Sequence, residues 1–90
     1  MDIQELRKEI DRVDDQLTAL FVQRMELAAE VAAYKQNHAA AVTDGSREQQ
    51  IFQRVCAASG ETFAPYTERL FQLLIAMSKE YQRSLLQREE

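Results

Sequence analysis

The sequence predicts an all-α fold made of three helices, one of which is very long. Between residues 2 and 44 the chain contains no glycine or proline, the residues that most often interrupt a helix. Within this stretch apolar residues recur at alternating spacings of three and four, the pattern of a helix that packs along one stripe. The whole chain has only two glycines and one proline, a composition that argues against a sheet-rich or disordered protein.

The first predicted helix covers about residues 3–37 and carries a ten-position stripe that we call the seam. Thirty-five helical residues make a rod of about 50 Å, whereas a compact chain of 90 residues has a radius of gyration of about 12 Å. We therefore expect the helix to extend beyond its own globule and to pack against a second copy of the chain. The seam positions are Ile3, Leu6, Ile10, Val13, Leu17, Leu20, Arg24, Leu27, Val31 and Tyr34.

The second predicted helix covers about residues 47–59 and follows a polar break. The four residues before it, Thr-Asp-Gly-Ser at positions 43–46, favour turns and helix caps. Ser46 followed by Gln49 predicts a capping box, and Gly60 is expected to end the helix. The buried face of this helix is expected to hold Ile51, Phe52, Val55 and Cys56.

The third predicted helix covers about residues 65–87 and completes a single domain of residues 1–90. Pro65 suits its first turn, and its many apolar residues give it enough surface to pack on both neighbours. One row of this helix contains two polar residues, Ser78 and Gln82, one turn apart on an otherwise apolar face. The full row is Phe71, Ile75, Ser78, Gln82 and Leu85.

Charge and composition argue against several classes of function. The formal charge is −4 and the pI is near 5.0, whereas nucleic-acid binding requires a concentrated basic surface. No apolar run approaches the length of a membrane span, and the N-terminal residues lack the pattern of a secretory signal. The single cysteine cannot form an internal disulfide. We therefore expect a cytoplasmic protein, and one of this size is expected to gain stability by forming oligomers.

Arg24 is the one charged residue of the seam, and its guanidinium stays protonated at any ordinary pH. Such a charge in an apolar stripe can reach solvent, pair with a carboxylate of the fold, or bind an anionic ligand. Lys35 follows eleven residues later, close to three helical turns, so both cations point the same way about 16 Å apart. Their long side chains can lean toward one small ligand.

Arg7 is placed differently from these two cations. Seventeen residues separate it from Arg24, which is about 25 Å along one straight helix and a rotation of roughly a quarter turn or more. A small ligand therefore cannot touch both arginines of one chain. If two first helices pair antiparallel, Arg7 of one chain approaches Arg24 and Lys35 of the other. This arrangement predicts a site shared between protomers.

Further polar groups are expected near these cations. Arg47 and Glu48 lie in the first turn of the second predicted helix, just after Asp44. At this end of a helix, free backbone N–H groups and the helix dipole favour a hydrogen-bond acceptor. Glu48 can therefore either belong to the site or serve only as a helix cap. Cys56 is flanked by apolar residues and is expected to be buried packing, and His38 is expected to face solvent. No pair of residues has the arrangement of an activated nucleophile, and no group has metal-ligand spacing.

Six motifs, five of which contain the candidate site residues, together resemble the all-α chorismate mutases over about residues 6–86. One motif such as Leu-Arg-x-x-Ile-Asp would be weak by itself, but all six in this order and at these distances are highly specific. The motifs are Leu6-Arg7-Lys8-Glu9-Ile10-Asp11, Asp14-Asp15-Gln16-Leu17, Gln23-Arg24-Met25-Glu26-Leu27-Ala28, Tyr34-Lys35, Asp44-Gly45-Ser46-Arg47-Glu48 and Ser78-Lys79-Glu80-Tyr81-Gln82.

The resemblance implies an intertwined all-helical homodimer that rearranges chorismate to prephenate on the route to phenylalanine and tyrosine. It implies that Arg24, together with Arg7 of the partner subunit, binds the two carboxylates of the substrate. Lys35 and Gln82 would donate hydrogen bonds to the ether oxygen, with Lys35 also near a carboxylate. The reaction is a unimolecular rearrangement, so the resemblance implies no metal and no cofactor.

The same resemblance implies roles for the remaining polar groups. Glu48 and the backbone at Asp44 would hold the ring hydroxyl of chorismate. Arg47 and Ser78 would complete the carboxylate side of the site. The catalytic residues implied are thus Lys35, Gln82 and Glu48, and the others bind the substrate.

Two alternatives compete with the mutase, and the first of them uses the same fold. Isochorismate pyruvate lyase resembles this family, but its matches to Glu48 and Ser78 are apolar and aromatic, whereas this chain keeps the mutase pattern. A non-catalytic dimerisation or regulatory module would instead satisfy Arg24 with an internal carboxylate, Glu48 being the obvious candidate. The family occurs both as free-standing enzymes and as the front domain of larger proteins, including fusions to prephenate-processing enzymes, and both stay open for this chain.

Overall fold

The computed structural model describes residues 1–87 and contains three α-helices: α1 (Ile3–Asn37), α2 (Gly45–Ser59) and α3 (Ala64–Gln87). No β-strand occurs in this part of the chain, so the predicted all-α class and the number of helices are confirmed. Helix α1 has the predicted bounds, and α3 begins one residue before its predicted start. Residues 88–90, which complete the predicted domain of residues 1–90, lie outside the described residues.

Helix α1 extends well beyond the other two helices. It begins after Asp2, whose carboxylate accepts a hydrogen bond from the Glu5 N–H at 2.9 Å. Every residue from 1 to 23 is exposed, and the first buried residue along the helix is Ala28. The radius of gyration is 16.3 Å and the longest axis measures 54 Å, well above the dimensions of a compact chain of this length. The expected overhang is therefore present, and it carries the first six seam positions into solvent.

The start of α2 differs from the prediction. The helix begins two residues before its predicted start because Asp44, not Ser46, caps it. The Asp44 carboxylate accepts a hydrogen bond from the Arg47 N–H at 3.1 Å. The predicted capping box of Ser46 and Gln49 is therefore wrong. At the other end of α2, Gly60 has a φ of 80°, a conformation that strongly favours glycine, and it ends the helix as predicted.

Helix α3 packs against both α1 and α2 and so joins the three helices. The buried apolar residues are Ala28 and Ala32 of α1, Ile51 of α2 and Ile75 of α3. The two alanines have small side chains, which allows the axes of α1 and α3 to approach closely. Cys56 is half-buried, and its thiol donates to a backbone carbonyl at the start of α3 at 3.7 Å, which fits the predicted packing role.

Candidate active site

A cavity of about 310 Å³ opens where the three helices meet. Its apolar lining comes from all three helices, and its polar lining contains charges of both signs. The polar and charged residues are Arg24 and Lys35 from α1, Asp44 at the cap of α2, Arg47, Glu48 and Arg54 from α2, and Ser78, Lys79 and Gln82 from α3. The structure thus brings seven of the eight predicted site residues around one space.

Arg24 is half-buried at this cavity, with its guanidinium carbon 5.9 Å from the centre of the Phe71 ring. Burial lowers the pKa of Arg24, and the positive charges of Arg47 and Arg54 lower it further. Among residues 1–87 no carboxylate forms an ion pair with Arg24. The alternative in which Glu48 neutralises this arginine is therefore wrong. A partly desolvated guanidinium that two others repel would be stabilised by an anionic ligand.

Lys35 lies three turns beyond Arg24 and lines the same cavity. Its Nζ donates a hydrogen bond to the carbonyl oxygen of Val42 at 2.7 Å, which ties the ammonium to the segment between α1 and α2. This bond restricts a long side chain that would otherwise sample many rotamers. An ammonium has three N–H donors, and the other two have no partner among residues 1–87, so they can bind a ligand.

Glu48 and Lys79 form an ion pair that joins α2 to α3 at the cavity. Lys79 Nζ lies 3.1 Å from Glu48 Oε2, and each side chain is 24% exposed. Partial burial leaves such a pair less screened by water and salt than a surface pair. Glu48 is therefore not simply a helix cap, because Asp44 fills that role and a lysine holds the Glu48 carboxylate.

Gln82 is only 5% exposed, although its side chain is a polar amide. Its Nε2 donates to Ser78 Oγ at 3.0 Å, and its Oε1 has no hydrogen-bond partner among the residues that the structure describes. Leaving a buried acceptor unpaired costs about 1–3 kcal/mol. An anionic ligand offers acceptors and cannot pair with this oxygen, so the group through which Gln82 can bind such a ligand is the second N–H of its amide.

Two predicted residues border the cavity at the N-terminal end of α2, and one lies elsewhere. Asp44 and Arg47 are the two at the helix end, where the Asp44 carboxylate is already engaged as the cap. Arg7 lies in the exposed first part of α1 and does not line the cavity. Its position agrees with the separation of about 25 Å from Arg24 that one straight helix requires. Within one chain the site therefore lacks Arg7.

Two cations that line the cavity, Arg54 and Lys79, were not among the predicted site residues. Arg54 follows Arg47 by seven residues, or two helical turns, and this spacing places both on one face. Lys79 precedes Gln82 by three residues, which also places it next to the polar row of α3. The lining contains five cations and two carboxylates, an excess of three positive charges that favours a ligand with more than one negative charge.

Comparison with known proteins gives one consistent result. The family model described as chorismate mutase type II matches residues 6–83. The chorismate mutase of Methanocaldococcus jannaschii is 31% identical over 85 residues, which cover 92% of this chain and 86% of that protein. The bifunctional chorismate mutase/prephenate dehydratase of Escherichia coli is 38% identical over 84 residues, which cover 91% of this chain. The chain spans only 22% of the length of that bifunctional relative.

A solved structure has the same architecture. It is that of a conserved hypothetical protein from Pyrococcus furiosus, which matches with a TM-score of 0.75 and 28% identity over 89% of this chain and 93% of that one. The family match over residues 6–83 confirms the resemblance that the six motifs indicate. The chain therefore belongs to the chorismate mutase type II family, a family of isomerases.

Proposed function

We propose that this chain catalyses the rearrangement of chorismate to prephenate, as an isomerase of aromatic amino acid biosynthesis. The observation that supports this best is the cavity, in which an excess of three positive charges surrounds a buried amide donor. Chorismate carries two carboxylates, and its ether oxygen gains negative charge as the carbon–oxygen bond breaks. The names of the relatives from M. jannaschii and E. coli both include this mutase activity, which supports the same assignment.

The proposed reaction is concerted: one carbon–oxygen bond breaks while a carbon–carbon bond forms within the same molecule. The protein must therefore hold the substrate in a compact reactive conformation, and it needs no nucleophile or general base. We assign Arg24 to one carboxylate as a bidentate partner and Arg7 of the partner subunit to the other. Arg47 and Ser78 complete the carboxylate side. Such positioning can lower a barrier by several kcal/mol.

The ether oxygen and the ring hydroxyl are assigned to the remaining polar groups. Gln82 uses one amide N–H toward Ser78, at 3.0 Å, and has a second N–H for the ether oxygen. Lys35 supplies an ammonium donor to the same oxygen. These hydrogen bonds strengthen as negative charge develops there, which is what lowers the barrier. The hydroxyl is assigned to Glu48 and the backbone at Asp44.

A homodimer is supported by the exposure of the seam. The nine apolar seam residues are between 42% and 61% exposed in the single chain. An apolar stripe of this length on an overhanging helix is expected to be covered by a partner. A second copy with its α1 antiparallel would cover it and would bring its Arg7 toward Arg24. We therefore propose the intertwined homodimer, in which each of two sites is completed by Arg7 of the partner subunit.

Mixing two inactive variants tests the shared site. Arg7→Ala and Arg24→Ala are each expected to be inactive as homodimers. After equal amounts exchange subunits, half of the dimers are mixed and one of their two sites is intact, so about a quarter of the wild-type activity should return. Each variant taken alone through the same exchange is the control. Failure to recover activity, with mixed dimers confirmed by native mass spectrometry, would contradict the arrangement.

Incubation with chorismate and with isochorismate in separate reactions tests the proposed activity. We expect loss of chorismate absorbance and formation of prephenate. Release of pyruvate from isochorismate, without conversion of chorismate, would indicate the lyase reaction instead. Consumption of neither compound would indicate a non-catalytic module. The Arg24→Ala variant, purified in parallel, controls for contaminating host enzyme.

The proposed compartment is the cytoplasm. No helix within residues 1–87 combines the length and the apolar character needed to cross a membrane. The proposed substrate is a small biosynthetic metabolite, which is consistent with the cytoplasm as the place of action.

A further inference from the structure

Lys79 has no role in the assignments above, yet it contacts one of the proposed catalytic groups. Its Nζ lies 3.1 Å from Oε2 of Glu48, and both side chains are 24% exposed at the cavity. The two residues are 31 positions apart, so their ion pair forms only when α3 is packed against α2. The lysine therefore places a positive charge beside Glu48 as a consequence of the fold.

This contact has two consequences for Glu48. The hydrogen bond occupies Oε2, and no other hydrogen bond among residues 1–87 engages the carboxylate, so Oε1 is left as an acceptor. The ammonium also balances the negative charge of Glu48. A carboxylate without this balance would repel a dianionic ligand bound in the same cavity, because unit charges a few ångströms apart interact strongly where water is partly excluded.

We propose that Lys79 is a positioning residue of the site: it fixes Glu48 as an acceptor for the ligand's hydroxyl and cancels the repulsion between Glu48 and a dianion. This inference rests on the proposed function, and it concerns a residue that the family resemblance does not assign. A purely structural role would be limited to joining α2 and α3. Such a role predicts a lower melting temperature when Lys79 is replaced, with unchanged kinetics below that temperature.

Steady-state kinetics and thermal melts of a double-mutant cycle separate the two roles. For Lys79→Met we expect kcat/KM to fall by about tenfold or more. For Lys79→Arg, which keeps the positive charge, we expect kcat/KM to stay within about threefold of the parent. Glu48→Gln replaces the carboxylate with a neutral amide that needs no counter-charge. In that background we therefore expect Lys79→Met to change kcat/KM by less than about twofold.

Arg83 offers a matched control on the same helix. It is exposed one turn after Lys79, does not line the cavity, and donates to Thr43 Oγ1 at 3.0 Å. Arg83→Met thus removes a cation of α3 and one link between α3 and the segment before α2, and it leaves every residue of the cavity lining in place. We expect it to leave kcat/KM within about twofold of the parent, as surface substitutions usually do little.

Several results would overturn the role of Lys79. They are an unchanged kcat/KM in Lys79→Met, an equal loss in the parent and Glu48→Gln backgrounds, or no recovery in Lys79→Arg. If Lys79→Met does not fold, Lys79→Gln, which is also uncharged, takes its place in the cycle.

If the parent does not convert chorismate, the proposed function fails, and the same variants are compared by calorimetric affinity for chorismate. The same pattern of losses then supports the inference, and equal affinities or no binding overturn it.

Discussion

Replacing Arg24 with methionine is expected to abolish turnover of chorismate while making the folded protein more stable. The loss of a bidentate carboxylate contact should lower kcat/KM by about 10³-fold or more. Burial, together with the charges of Arg47 and Arg54, lowers the pKa of Arg24 in the folded protein. The protonated arginine therefore destabilises the folded state at every pH below this pKa, and neutral pH lies in that range. Methionine removes that cost and suits an apolar seam. We therefore expect a higher melting temperature.

Kinetics with chorismate and thermal melts at one fixed protein concentration check both parts of this prediction. Arg12→Met is the control, because Arg12 lies on the same helix, is exposed, and is paired with Glu9. It should keep the parent kcat/KM and should not raise the melting temperature. If Arg24→Met lowered both kcat/KM and the melting temperature, Arg24 would stabilise the fold itself, and the prediction would be contradicted.

The helices could be predicted from the sequence because their signals are local. The uninterrupted seam determines α1, Gly60 marks the end of α2, and Pro65 marks the start of α3. The cap of α2 could not be predicted, because Asp44 and Ser46 are two good capping residues only two positions apart. Which of them caps depends on where the first turn of α2 packs, and this is a tertiary property.

The site was predictable only in part, for a related reason. Arg24 and Lys35 share one helix, so their common direction follows from the helical period alone. Groups from α2 and α3 meet them only through the angles at which the helices pack. The ion pair between Glu48 and Lys79 is an example, since it bridges two helices and no local pattern indicates it. The role proposed for Arg7 depends on a second chain, so it cannot be read from the spacing within one helix.

Replacing Gln82 with glutamate is expected to make turnover depend on acid pH. The amide of Gln82 can donate at any pH, whereas a carboxyl donates only when it is protonated. Its ionised form would repel the negative charge that grows on the ether oxygen. Because position 82 is only 5% exposed, burial should raise the pKa of the introduced carboxyl, whereas the cations that line the same cavity should lower it. Activity is thus expected below that pKa and should be lost as the pH rises through it.

Profiles of kcat/KM between about pH 5 and 9 measure this effect, and near pH 8 the Gln82→Glu variant should be about 10²-fold to 10³-fold below the parent. The cations of all three helices and Glu48 line the cavity in both the parent and the variant. A loss of activity with rising pH that only the variant shows is therefore caused by ionisation of the carboxyl at position 82. Gln82→Met is the matched control, because it has no donor and should stay inactive throughout. A carboxyl that contacts the reacting oxygen cannot ionise without changing the rate. If the pH profiles of Gln82→Glu and the parent had the same shape, Gln82 would therefore not be the donor to the ether oxygen.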